Sequence, residues 1–134
     1  MSSWPRRGTE GGSTTGEGDG VTAFGLTVQH PDFDTVQVSV TGVLDLARAY
    51  DFDDAMRRIE RSAPGRLMLD LRGVEFIDTT GLARLLAVRR RCLRAGRRLV
   101  LVRGSRGVQR IFAVAAIDHQ FEVVADPAEA FAAG

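Results

Sequence analysis

Lysine is missing from this chain: all 18 basic residues among its 134 are arginine. That absence excludes Schiff-base chemistry and any phosphate loop built on a lysine. Alanine and glycine are abundant alongside arginine, so the bias reads mainly as genome composition. A single cysteine, Cys92, excludes an intrachain disulfide and a cysteine metal cluster, and it fits a reducing compartment. The two histidines, His30 and His119, stand alone without metal-ligand spacing. Neither sign of charge dominates. The formal net charge is +1, so the overall balance gives no pull toward nucleic acid or membrane. No run approaches the ~20 apolar residues of a spanning helix, and the N-terminus lacks the apolar core of a signal peptide. These features predict a cytoplasmic protein without membrane insertion. No catalytic constellation is visible, so an enzyme is not expected.

What is present divides into two parts. Residues 1–20 are mostly Gly, Ser, Thr and Glu, too poor in apolar surface to offset the entropy of ordering, and are predicted to be a disordered tail. Trp4 within it reads as incidental rather than as a docking anchor. Residues 21–134 are predicted to form one domain, large enough for a single two- or three-layer core. Phe24, Leu26 and Val28 alternate with polar or small residues, as do Val36, Val38 and Val40, and Pro31 to Asp34 supply turn chemistry between them. This is a hairpin. Residues 46–61 have helical spacing, with Leu46, Ala49, Tyr50, Met56 and Ile59 expected inward and Asp53, Asp54, Arg57, Arg58 and Arg61 outward.

Leu67, Met68, Leu69 and Leu71 read as a strand buried on both faces, followed by a short connection and a helix over 79–95 that Gly96 stops. Leu99 to Val102 is another strand, Ser105 caps a helix over 106–115, Phe121 to Val124 is the last strand, and Pro127 opens a short helix ending with Phe131. Alternating strands and helices imply an α/β fold: a mostly parallel sheet with an N-terminal antiparallel hairpin strand and about four helices. Functional loops are then expected where strands end and helices begin.

Two such loops are informative. Asp78, Thr79 and Thr80 open the second helix. Hydroxyls there sit in the positive field of unpaired backbone amides, which favours a phosphate. The ordinary reading is an Asp78 N-cap with threonines bonded to first-turn amides. Asp45 likewise reads as the N-cap of the first helix, and two strand-end loops can bring it to one rim with Thr79. The second helix is rich in arginine and has no acid. At ~100° per residue Arg84, Arg91, Arg94 and Arg98 share one stripe, with Leu82, Leu85, Leu86 and Leu93 opposite. That stripe is a solvated basic face or a docking surface for an acidic protein partner. Nothing pairs it with an aromatic platform for nucleic acid. Arg89 falls in the apolar arc, its stem packed and its head reaching solvent. Cys92 is expected to be a buried structural thiol, and Gly104-Ser105-Arg106-Gly107 a turn.

Together these residues resemble the STAS domain family, specifically stand-alone anti-sigma factor antagonists, over about residues 22–131. Val40-Thr41-Gly42-Val43-Leu44-Asp45 resembles the family's TGELD element. Leu69-Asp70-Leu71 with Val74-Glu75-Phe76-Ile77-Asp78-Thr79-Thr80-Gly81-Leu82 resembles DLSxVxFMDSSGL and is the specific match. Val108-Gln109-Arg110-Ile111-Phe112 and the closing strand and helix, Phe121 to Val124 and Ala128 to Phe131, are weaker ones. The resemblance implies a STAS-like fold and a cytoplasmic switch protein of bacteria. The unmodified form binds an anti-sigma factor that is also a serine/threonine kinase and so frees a sigma factor for transcription. The kinase phosphorylates Thr79, the modified protein lets go, and a protein phosphatase resets it. ATP and Mg²⁺ belong to the kinase, so no cofactor is implied here, and no direct nucleic acid partner. Gly42, Leu44, Asp45, Asp78, Thr80, Gly81, Leu82 and Ala83 correspond to the partner-binding rim.

The chain departs from the family pattern at three points: Thr79 stands where Ser is usual, Val43 where an acid is usual, and Ala83 where Gly is usual. Two alternatives stay open. One is a STAS subunit of a membrane transport complex that docks without phosphorylation. The other is a receiver-like signalling domain with Asp70 as acceptor, against which stand the missing lysine and the missing acidic pair after the first strand.

Overall fold

In a computed structural model the described residues are 24–133, with side chains described through Ala130. The expected tail over 1–20, including Trp4, lies outside them. The chain runs β1 (Gly25–Asp32), β2 (Thr35–Leu44), α1 (Leu46–Glu60), β3 (Arg66–Ile77), α2 (Thr79–Ala95), β4 (Arg98–Val102), α3 (Arg106–Val114), a 3₁₀ turn (Asp118–Gln120), β5 (Glu122–Val124) and α4 (Pro127–Ala133). The five strands form one sheet in sequence order, β1 antiparallel to β2 and the rest parallel. This is the expected α/β fold with its antiparallel hairpin strand and four helices.

The alternation of each strand decides the layering. Leu26, Val28, Val36, Val38, Val40, Leu67, Leu69, Leu71 and Leu101 share one buried cluster with residues of α1, α2 and α3. The three crossover helices therefore cover one face of the sheet. Met68, Val100, Val102 and Ala130 form a smaller cluster on the other face, where α4 covers the β4 and β5 side. Met68 on one face and Leu67 and Leu69 on the other make the centre of β3 buried on both, as its continuous apolar run predicts. Edge packing is completed by Phe24 against Phe52 at 6.4 Å and Phe112 against Phe121 at 5.7 Å, both edge to face.

Three expectations are corrected here. Residues 72–77 are not a connection: β3 continues to Ile77, pairing Gly42 with Val74, Val43 with Phe76 and Leu44 with Ile77 past irregularities in register. Gly73 permits this, because a Cβ there would lie 2.7 Å from Thr41 Cγ2. In α1, Leu46 and Tyr50 are exposed (62 % and 72 %), while Phe52 and Asp53 are buried with Ala49, Met56 and Ile59. With Phe52, Met56 and Ile59 at the centre of the buried stripe, Tyr50 lies roughly 150° away from it. In α2, Leu93 is exposed rather than packed with Leu82 and Leu85.

The rim at the start of the second helix

The C-terminal ends of β2 and β3 adjoin, and each strand leads directly into a helix. Leu44 pairs with Ile77, and the Asp78 amide donates to the Leu44 carbonyl at 3.3 Å. Asp78 then serves both helices. Its Oδ1 accepts from the Gly81 amide at 2.9 Å, capping α2, and its Oδ2 accepts from the Leu46 amide at 3.2 Å, at the first residue of α1. One carboxylate thus locks two strand-end loops, 32 residues apart, into one rim. Asp45 precedes α1 but its side chain caps nothing; it pairs with Arg48 at 3.2 Å. The double use of Asp78 was not visible in local spacing, which gave each helix its own acid.

Thr79 is exposed in the first turn of α2 and Thr80 is half-buried. The first intrahelical bond runs from the Leu82 amide to the Asp78 carbonyl, and Gly81 is taken by Asp78 Oδ1. The amides of Thr79 and Thr80 precede that bond and have no acceptor among the described residues. They are the free donors of a helix N-terminus, beside an exposed hydroxyl. Gly81 is where the two elements touch: a Cβ there would lie 2.4 Å from the Leu44 carbonyl oxygen and 2.8 Å from Ile77 Cγ1. Only glycine allows α2 to start so close to the end of β2.

The rim residues therefore fall into two groups. Thr79, Thr80, Ala83 and Asp45 reach its surface wholly or in part, whereas Gly42, Leu44, Gly81 and Leu82 are buried and shape it from below. Gly42 does so with φ 85°, in the left-handed region that β-strand residues with side chains avoid. Sequence reasoning missed the apolar part. Leu46, Tyr50 and the half-exposed Phe76, whose strand neighbour is Val43, expose large side chains on the elements that form this end of the sheet. Centring the α1 stripe on Phe52 would have placed Leu46 and Tyr50 at the surface.

The predicted basic stripe is not a solvated face along its length. Arg91 is nearly buried and binds Glu60 at 2.6 and 2.9 Å and Asp53 at 3.2 Å. Arg84 lies 3.9 Å from Asp53, and Arg98, on β4, pairs with Glu122. These pairs join α1 to α2 and β4 to β5. Burial pushes the Asp53 carboxyl up, but the hydrogen bond from Arg57 and the charge of Arg91 outweigh it and hold Asp53 below the ordinary value. Arg89 has a specific role: its Nε donates to the Gln120 carbonyl at 2.6 Å. Cys92 is buried, and burial raises its thiol pKa, away from nucleophilic behaviour.

Asp70 lies in β3, nearly buried, with Arg72 bonded to both of its oxygens at 3.0 and 2.8 Å. Burial raises its pKa, yet the Arg72 hydrogen bonds prevail and the net direction is downward. Ser105 caps α3 through the Val108 amide as expected. Among the described residues no group of three His, Cys, Asp or Glu side chains could hold a metal ion, and no helix is long and apolar enough to cross a membrane.

Comparison with known proteins supplies the context for this rim. No curated protein matches the chain. Among solved structures, an anti-sigma factor antagonist from Mycobacterium paratuberculosis superposes with a TM-score of 0.72 at 23 % identity, over 84 % of this chain and 95 % of that one. The anti-sigma factor antagonist SpoIIAA in its unphosphorylated form gives 0.67 at 17 % identity, over 79 % and 92 %. The Bacillus cell fate determinant SpoIIAA in its phosphorylated form gives 0.61 at 15 % identity, over 79 % and 96 %. At these identities the likeness is one of fold. The family model described as "Mlab, STAS domain" matches residues 28–125, from β1 to the residue after β5. The chain belongs to the STAS domain family.

Proposed function

We propose that this protein is an anti-sigma factor antagonist that works by partner switching. Unphosphorylated, it binds an anti-sigma factor with serine/threonine kinase activity through the rim, releasing a sigma factor in the cytoplasm. Phosphorylation of Thr79 ends that binding, and a protein phosphatase restores it. The observation that carries the reading is the exposed Thr79 beside two unused amides at the start of α2. The exposed Leu46, Tyr50 and Phe76 add apolar area of the kind a partner covers. Asp70 supports the reading by its burial against Arg72, which leaves no accessible carboxylate for a receiver-like phosphorylation. The domain is taken to span 21–134, with residues 1–20 as an N-terminal tail.

A phosphate at Thr79 adds about −1.5 to −2 charges at neutral pH. The free amides and the helix dipole favour it by about 0.3–1 kcal/mol at an exposed site. The fold therefore tolerates modification, and the effect falls on the interface, where a neutral hydroxyl becomes a dianion beside the acids Asp45 and Asp78. The test is labelling by the co-purified kinase with mass-spectrometric site mapping. Label is expected on Thr79, lost in Thr79→Ala and kept in Thr80→Ala. Thr79→Glu is expected to melt near wild type yet bind the partner more weakly. Label on Thr80, or undiminished label in Thr79→Ala, overturns the assignment. Stable docking without any label points instead to a transport-complex subunit that is not phosphorylated.

A further inference from the structure

A net charge of +1 conceals a strong local asymmetry. Between Thr79 and Phe121 the chain holds ten arginines and a single acid, Asp118. Helices α2 and α3 contain no Asp or Glu. Five of the ten arginines are accounted for: Arg91 and Arg84 by α1 carboxylates, Arg98 by Glu122, Arg89 by the Gln120 carbonyl and Arg97 by the Pro64 carbonyl. The other five, Arg90, Arg94, Arg103, Arg106 and Arg110, are exposed and make no ion pair among the described residues. Two aliphatic side chains are exposed on the same helices, Leu93 at 62 % and Val114 at 81 %. Leu93 shares its helix face with Arg90 and Arg94, and Val114 lies one turn beyond Arg110.

The two helices cover the same face of the sheet. Both bury their inner residues in the cluster on one face of the sheet, and Arg89 of α2 reaches the Gln120 carbonyl just beyond α3. Their outer surfaces therefore point to the same side of the molecule and combine unpaired guanidinium groups with protruding aliphatic side chains. We propose that this face, formed by the C-terminal half of α2 and by α3, docks the protein on an anionic lipid bilayer. Guanidinium groups bind headgroup phosphates, and Leu93 and Val114 enter the boundary between headgroups and acyl chains. Nucleic acid fits less well. The exposed apolar residues here are aliphatic, with no ring for a base to stack on, while Phe112 and Phe121 are buried. Arg90 and Arg94 lie about 16 and 22 Å along α2 from Thr79, so a docked molecule leaves the rim free for a partner.

The test is flotation of the full chain with vesicles of phosphatidylglycerol mixed with phosphatidylcholine, and of phosphatidylcholine alone. Binding is expected to the first only and to weaken with salt. Each arginine removed lowers partitioning about fivefold, so Arg90→Gln/Arg94→Gln lowers it roughly 25-fold. Leu93→Ser/Val114→Ser is expected to abolish the part that survives high salt. Arg58→Gln/Arg61→Gln makes the same charge change at the C-terminal end of α1 and is expected to leave binding unaltered. Absence of binding to the anionic vesicles overturns the proposal. So does an equal loss in the α1 variant, or binding of a random DNA duplex in place of vesicles. Kinase labelling at Thr79 is a separate readout, so failure of either reading leaves the other standing.

Discussion

Replacing Asp78 by alanine removes two hydrogen bonds at once, one at the start of each helix that forms the rim. The bond from the Gly81 amide, at 2.9 Å and part-buried, is an N-cap, and losing such a cap costs about 1 kcal/mol. The bond from the Leu46 amide, at 3.2 Å and exposed, can be replaced in part by water, so its loss costs about 0.5–1 kcal/mol. The sum is about 1.5–2 kcal/mol. For a domain of this size it lowers the melting temperature by roughly 6–8 °C. Asp78→Asn keeps one acceptor oxygen and with it the α2 cap. It is expected to lose only the α1 bond, about 0.5–1 kcal/mol. Asp45→Ala removes a partly exposed pair with Arg48 and no cap, and costs no more than about 0.5 kcal/mol. Thermal or urea unfolding followed by circular dichroism measures all three. The order Asp78→Ala, Asp78→Asn, Asp45→Ala is the result that matters. If Asp45→Ala destabilises as much as Asp78→Ala, each helix has its own cap and the shared carboxylate is not what joins the loops.

Gly81→Ala gains about 1 kcal/mol of helix propensity, but its Cβ meets the Leu44 carbonyl at 2.4 Å, and overpacking of about 1–3 kcal/mol is expected to leave a net loss in urea unfolding. Arg91→Ala leaves the nearly buried Glu60 without its partner, while Asp53 keeps Arg57, and is expected to cost about 2–3 kcal/mol, whereas the neighbouring Arg90→Ala should stay within about 0.5 kcal/mol of wild type by the same assay. The depressed carboxyls of Asp53, Asp70 and Glu122 fix the direction of the acid response. Their contribution is fully present above the unfolded values of 3.8 for Asp and 4.5 for Glu. It is lost as pH falls below those values through the lower folded ones. A melting temperature that does not drop on acidification from pH 5 to pH 3 (about the span of these unfolded values) would contradict the ion-pair geometry.

The charge pattern illustrates why composition and location carry different information. A balance of +1 by itself predicts no net attraction to anionic surfaces. The sheet topology brings the acids of α1 against Arg91 and Arg84 and leaves the acid-free α3 on the same face of the sheet as α2. Which arginines are neutralised depends on neighbours 24 or more residues away, as with Glu60 and Arg91, and no helical-wheel reading of α2 alone contains them.

The amino-acid sequence by itself determined what rests on local forces. Alternation named the strands, the Thr79–Ala95 helix followed from its apolar period, and Gly96, in the left-handed region at φ 69°, ended it where a residue with a Cβ is disfavoured. Ser105 and Asp78 were legible as caps because a cap bond spans three residues. Tertiary structure alone decided the rest. It extended β3 to Ile77, because pairing with Gly42 to Leu44 supplies the hydrogen bonds an isolated segment lacks. It turned Phe52 and Asp53 inward and Leu46 and Tyr50 outward, because the stripe that packs on the sheet is centred on Phe52, Met56 and Ile59, and Leu46 and Tyr50 lie off it. And it gave Asp78 its second helix, because a carboxylate has two oxygens and only the fold places the Leu46 amide, 32 residues back in the chain, within reach of the other.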